Sequence, residues 1–184
     1  MSNSEEKQPP TVLSGETYLI EEFERQLDSL GGFELNVQPE YIFIDRPIGW
    51  VLLEEQKKLL SNAVVATENI CHEYLQILLD ADVRLIVSQT SARAVKKALH
   101  TDFKRVKAFT PRLSPAERAV LKLTAEGKTN KGVACVRGVT EGTVENMLVA
   151  IHRKLGLKTK VELVHYFYGN WHLMPEVYED YVKS

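Results

Sequence analysis

The chain has 184 residues, 44% of them hydrophobic, and a formal net charge of −2, enough for two small domains with real cores. No run of about 18 apolar residues is present and the first ten, MSNSEEKQPP, hold no apolar stretch, so neither a membrane span nor a secretory leader is expected. Cys71 and Cys135 fall in separate proposed domains, suit a reducing cytoplasm and are expected to be small buried side chains.

Residues 1–14 are rich in Ser, Glu, Gln and Pro and predict a disordered lead-in. From Glu16 to Leu30, Leu19, Ile20, Phe23, Leu27 and Leu30 recur at helical spacing, closed by Gly31-Gly32. Three apolar runs, YIFI at 41–44, AVVAT at 63–67 and VRLIV at 83–87, read as buried strands. Helical patterns follow them at 50–60, 71–82 and 91–100. Strands apolar through their whole length and alternating with helices predict a small parallel α/β domain over 15–100, covered on both faces. Residues 101–112, with Pro111 near their end, read as a linker, and 170–184 as a tail whose packing the sequence leaves open.

Residues 113–169 read as an all-α domain of four short helices, and their punctuation is regular. Ser114-Pro115-Ala116-Glu117 predicts an N-cap, a proline at the first helical position and a capping box. Gly127 closes this helix; Thr129 and Gly138 bound a second, Thr140 and Gly156 a third, and VELVHYFY after Lys160 forms a fourth. On the third helix Val144, Leu148, Ile151 and Leu155 make one apolar stripe, leaving the opposite face to solvent. Charge divides the same way: residues 113–169 hold nine Lys/Arg against five Asp/Glu, residues 1–112 thirteen against seventeen. That is the sign expected of a phosphate-facing module.

LSPAER, VLKL, AEGKTNK, TEGTVEN and RKLGLKTKVELV together resemble the LuxR/GerE-type helix-turn-helix of bacterial response regulators, almost without a gap from Leu113 to about Val164. The resemblance implies that residues 141–155 enter the DNA major groove. It further implies contacts from Lys128, Thr129, Asn130 and Lys131 on the second helix and Thr140 before the third. On the third it implicates Glu141, Thr143, Glu145, Asn146, Val149, Arg153 and Lys154. Pairing through Val161, Val164 and Phe167 of the fourth helix would make a homodimer.

Several residues depart from the family pattern. Glu145 stands where related helices usually carry Lys or Arg, Met147 where His is usual, and Val149 is apolar. Gly132 replaces the glutamate of a second capping box. Arg137 replaces an apolar residue, with Val136 expected to take over its packing. A glutamate can still read cytosine N4, Asn146 adenine, and Val149 a thymine methyl.

The resemblance also implies an α/β receiver in front. Aspartyl phosphorylation needs an acceptor carboxylate, further carboxylates for Mg²⁺, a hydroxyl and a lysine. Asp45 and Thr67 match two of these, but no first strand ending in acids is recognisable, and Ser88 and Gln89 stand where the lysine belongs. A truncated, degenerate receiver-like domain is expected, with Asp45 weighed as phosphoacceptor and read instead as a loop or capping carboxylate. His72, His100, His152, His165 and His172 show no metal-ligand spacing, and no catalytic residue, cofactor or metal is implied.

The expected function is a cytoplasmic, nucleoid-associated regulator binding double-stranded DNA as a dimer, without phosphorylation. The competing expectation is an adaptor whose helix-turn-helix contacts another regulator or RNA polymerase.

Overall fold

A computed structural model of the chain describes residues 9–32, 39–100 and 111–174. Residues 1–8 of the expected lead-in, 101–110 of the expected linker and the tail from 175 lie outside the described residues. The described residues cluster into two compact units. One runs to Glu68 and resumes at Leu78 up to residue 100; the other holds Asn69–Ile77 together with 111–174.

The first unit is a four-stranded sheet in the order β1-β2-β3-β4, built from Thr11–Ser14, Tyr41–Ile44, Val64–Ala66 and Leu85–Val87. All three pairings are parallel, as the sequence predicts. The first strand corrects the expectation of a disordered 1–14, because TVLS pairs along its whole length with YIFI, Thr11 opposite Tyr41 and Ser14 opposite Ile44. Alternation then sorts the side chains. Val12, Ile42, Ile44, Val64, Ala66, Leu85 and Val87 form one core face with Phe23 and Leu27 of α1 (Thr17–Ser29) and Ala92, Val95 and Leu99 of α4 (Ala92–His100). Phe43 and Val65 face the other way and are equally buried, with the Trp50 ring 6.2 Å from that of Phe43. The helix expected over 50–60 is broken into a 3₁₀ turn, Trp50–Leu52, and a single α turn, α2, Glu54–Lys57.

Asp45 follows β2 and is fully buried. Its Oδ1 accepts from the backbone N–H of Gly49 at 3.0 Å and of Val51 at 3.4 Å, and its Oδ2 from the Thr67 hydroxyl at 2.8 Å. The carboxylate therefore braces the loop after its own strand and ties it to the end of β3. Beside it Arg46 pairs with Glu68, which also accepts from the Thr90 hydroxyl.

The second unit packs α5 (Pro115–Ala125), α6 (Asn130–Arg137), α7 (Glu141–Leu155) and α8 (Lys160–Phe167) around Val120, Leu121, Val133, Val144, Ile151, Leu163, Tyr166 and Phe167. Residues 170–174 of the tail join it. Trp171 is buried, stacks on Tyr166 at 5.2 Å and donates its indole N–H to the Tyr166 carbonyl.

The unit also includes a segment from the middle of the sequence. Asn69, just before α3 (His72–Asp80), donates to the Phe167 carbonyl at 2.9 Å, and the Tyr74 ring meets that of Phe167 edge-on at 5.3 Å. Buried Glu73 accepts from the Tyr166 hydroxyl and from the Arg112 backbone N–H, 2.9 Å away. Cys71 lies 3.7 Å from the same carboxylate, and burial, with that charge beside it, pushes its thiol well above its ordinary pKa.

Candidate nucleic-acid interface

The caps that shape this region form as the sequence predicts. Ser114 accepts from the Glu117 backbone N–H and Glu117 reaches back to the Ser114 N–H at 2.9 Å, completing the box at the start of α5. Thr129 accepts from the Gly132 N–H at 3.1 Å, so the glycine loses the reciprocal half of a box and keeps the first half. Gly138 ends α6 in the left-handed region at φ 65°, with the Val139 N–H returning to the Ala134 carbonyl. Thr140 then caps α7 through the Thr143 N–H at 3.2 Å. Only Gly138 and Val139 separate the last turn of α6 from that cap, which forces the reversal of a helix-turn-helix.

On α7, Val144, Ile151 and Leu155 are buried and Leu148 half-buried, while Glu145, Asn146, Val149 and Arg153 are exposed on the opposite side. With Gly142 these four fall at i, i+3, i+4, i+7 and i+11, a single outward stripe. The ends of the helix carry charges that suit its dipole, Glu141 in the first turn and Arg153 and Lys154 in the last.

The structure separates the sequence-predicted residues by what they already hold. Lys154 gives its ammonium to both Glu117 oxygens, at 2.7 and 2.8 Å, and so braces α7 against α5. Burial raises the Glu117 carboxyl, but Lys154 and the Ser114 donors outweigh it and the net shift is downward. Thr140 and Thr143 share a hydroxyl–hydroxyl bond of 2.8 Å. Asn130 is half-buried at the start of α6, and Thr129 is engaged as a cap. Lys128, Lys131, Glu141, Glu145, Asn146, Val149 and Arg153 are exposed, and among the described residues none of their side chains makes a hydrogen bond or ion pair, although the Lys128 carbonyl accepts from Lys160 Nζ at 3.1 Å.

Three expectations need correction. Phe167 does not belong to an exposed stripe on α8. It is 1% exposed beneath Tyr74 and Asn69, whereas Val161 is 63% exposed and Val164 half-buried. Val136 does not take over packing beside Arg137, since it is 61% exposed and α6 buries Val133 and Ala134 instead. Cys135 is exposed, and only Cys71 is buried. Sequence reading also missed the capping box of Thr159 with Glu162 at the start of α8, although its T-x-x-E spacing was there to be seen. The Glu117–Lys154 bridge had no such local signal, because the pair is 37 residues apart.

Residues 111–167 match the family model described as "Bacterial regulatory proteins, luxR family". They are a LuxR-family helix-turn-helix domain. Curated relatives match over stretches of similar length. An HTH-type transcriptional regulator of Mycobacterium tuberculosis is 42% identical over 52 residues, 28% of this chain and 6% of that protein. The transcriptional regulatory protein MctR of Rhizobium johnstonii is 36% identical over 62 residues, 34% of this chain and 29% of MctR. This chain thus spans a small part of the relatives it matches. Among solved structures, that of the response regulator RcsB in complex with DNA aligns at TM-score 0.48 and 20% identity, over 88% of this chain and all of that one. RcsB of Salmonella enterica serovar Typhimurium on the promoter rprA aligns at TM-score 0.42 and 23% identity, over 78% of each chain.

No helix among the described residues is long and apolar enough to cross a membrane.

Proposed function

We propose that this protein is a cytoplasmic, nucleoid-associated transcriptional regulator that places α7 in the major groove of double-stranded DNA. The observation that carries the reading is the outward stripe of α7. It holds polar side chains with no internal partner among the described residues, on a helix whose other side is locked into a LuxR-type core. Lys128, Lys131 and Arg153 supply cations for phosphates and the first two frame the start of α6. Thr129, Asn130, Thr140 and Thr143 set the approach of the backbone to the DNA, and Lys154 acts by holding α7 in place. The α/β unit takes no phosphoryl group on Asp45, because that carboxylate is fully buried and already accepts from two backbone N–H groups and the Thr67 hydroxyl; it serves protein contacts or signal input.

Pairing of two chains uses the outer side of α8, where Val161 is the exposed apolar anchor. The test is Val161→Asp, which leaves the buried residues of α8 untouched. A dimer by light scattering that falls to monomer supports the interface, and an unchanged dimer removes it.

DNA binding is tested by titrating salt against random and genomic duplexes. Affinity at about 50 mM salt that declines steeply with added salt is expected, since even non-specific binding shows there. A second reading is favoured by two acids, Glu141 and Glu145, and a 68% exposed Val149 on the face that would meet DNA. It is an adaptor whose helix-turn-helix docks on another regulator or RNA polymerase, and absence of any DNA binding at about 50 mM salt would favour it.

A further inference from the structure

We infer that Glu145 is a specificity determinant that selects a cytosine in the DNA site through the base's exocyclic amine. This rests on the DNA-binding reading above and deepens it. Of the polar residues on α7, the structure leaves few able to reach a base edge. Lys154 is bound by Glu117, the Thr143 hydroxyl is bound to Thr140, and Arg153 lies in the last turn, beside the end of the helix rather than its leading half. Past Glu141 in the first turn and Gly142, which has no side chain, the exposed stripe ahead of Arg153 therefore consists of Glu145, Asn146 and Val149.

The chemistry of that trio is unusual in one respect. It contains no cation, so it lacks the Arg or Lys that most often reads the paired acceptors O6 and N7 of guanine in the major groove, and the Asn146 amide is its one donor. The Glu145 carboxylate accepts and does not donate, and no ion pair or hydrogen bond engages it among the described residues. Facing DNA, such a group is repelled by phosphates and by acceptor-rich edges. Its one favourable partner in the groove is an amine, and the cytosine N4 amine is the donor that stands on its pair's edge without an adjoining N7 acceptor on the same base. The neighbours complete a consistent reading, with the Asn146 amide suited to adenine N6 and N7 and Val149 to a thymine methyl.

The face is cheap to keep in this form. Among the described residues Glu145 caps nothing and bridges nothing, and it is exposed, unlike Glu117 on α5 or Glu162 on α8. A carboxylate with no role in the fold lowers affinity for every sequence, and selects only where an amine meets it.

The experiment is selection from a randomised duplex library at about 50 mM salt by the full chain, by Glu145→Lys and by Glu145→Gln. The wild-type pool is expected to hold cytosine at one position of the selected site. In the Glu145→Lys pool guanine should replace it there while the other positions persist. Changing that C·G pair to T·A in a selected duplex should weaken the wild type by roughly tenfold and leave Glu145→Ala unchanged. The duplex change needs no protein variant, so it stands even if a variant folds badly. The same base in the wild-type and Glu145→Lys pools, or indifference of the wild type to the T·A change, overturns the inference and leaves DNA binding intact. No binding of any duplex by the wild type overturns both.

Discussion

Asp45 at the end of β2 and Glu145 on the outer face of α7 are carboxylates in opposite surroundings. Asp45 is fully buried, and two backbone N–H groups and the Thr67 hydroxyl engage its oxygens. Glu145 is exposed and touches no donor among the described residues. A buried charge persists only where its hydrogen bonds are supplied from within, so Asp45 is committed to the fold and has little to offer a reagent. An exposed charge costs the fold nothing, so its value lies in what it meets outside. The same contrast runs inside α7 itself, between Lys154, which is spent on Glu117, and Arg153 one residue before it.

Substitutions should reproduce that contrast as a graded series. The largest loss is expected at Phe167, which is fully internal. Phe167→Ala opens a cavity beneath Tyr74 and should cost about 3–5 kcal/mol in denaturant unfolding; a loss below about 1 kcal/mol would mean the ring is not held as described. Asp45→Ala strands three donors and should cost about 2–4 kcal/mol, with Asp45→Asn milder because an acceptor remains. If Asp45→Ala unfolds at the wild-type midpoint, the carboxylate is no brace and its commitment to the fold fails.

Glu117→Ala removes half of a capping box and the partner of Lys154, for about 1–2 kcal/mol. The pH dependence sharpens this one. The folded Glu117 carboxyl titrates below its unfolded counterpart, so its contribution is complete above an unfolded pKa of about 4.3 and is lost as pH falls through the folded value. The stability gap between wild type and Glu117→Ala should therefore narrow on acidification below about pH 4.5, and a gap that widens there would contradict the assigned sign. The smallest effect on stability is expected at Glu145→Ala, within about 0.5 kcal/mol, together with a change in which DNA is bound. A marked loss of stability at Glu145 would dissolve the distinction from Asp45.

The helical unit was legible where its signals are local. Ser114 with Glu117, Thr129 with Gly138, and Thr140 with Gly156 each lie within one helix and its edges, and each cap formed. The three apolar runs gave the parallel strands for the same reason, since burial on both faces leaves an unbroken apolar run. β1 escaped because TVLS is four residues long, holds two hydroxyl side chains and follows a Pro-rich polar stretch. Phe167 was misplaced because local spacing gives it two equally good sides. What decides between them, Asn69 and Tyr74, lies more than 90 residues earlier. The candidate interface was readable as a face but not as a set of available groups, because the Lys154 bridge joins two helices.

The bond from Asn69 to the Phe167 carbonyl spans 98 residues. During synthesis, the stretch around Asn69 and Tyr74 leaves the ribosome long before α8 exists to receive it. Buried Tyr74 must wait for its aromatic partner until nearly all the described chain has been made, and closing so long a loop is an entropic cost met late. The helical unit is thus finished by its last helix, and a fragment beginning at the LuxR-type domain lacks the residues that cover it.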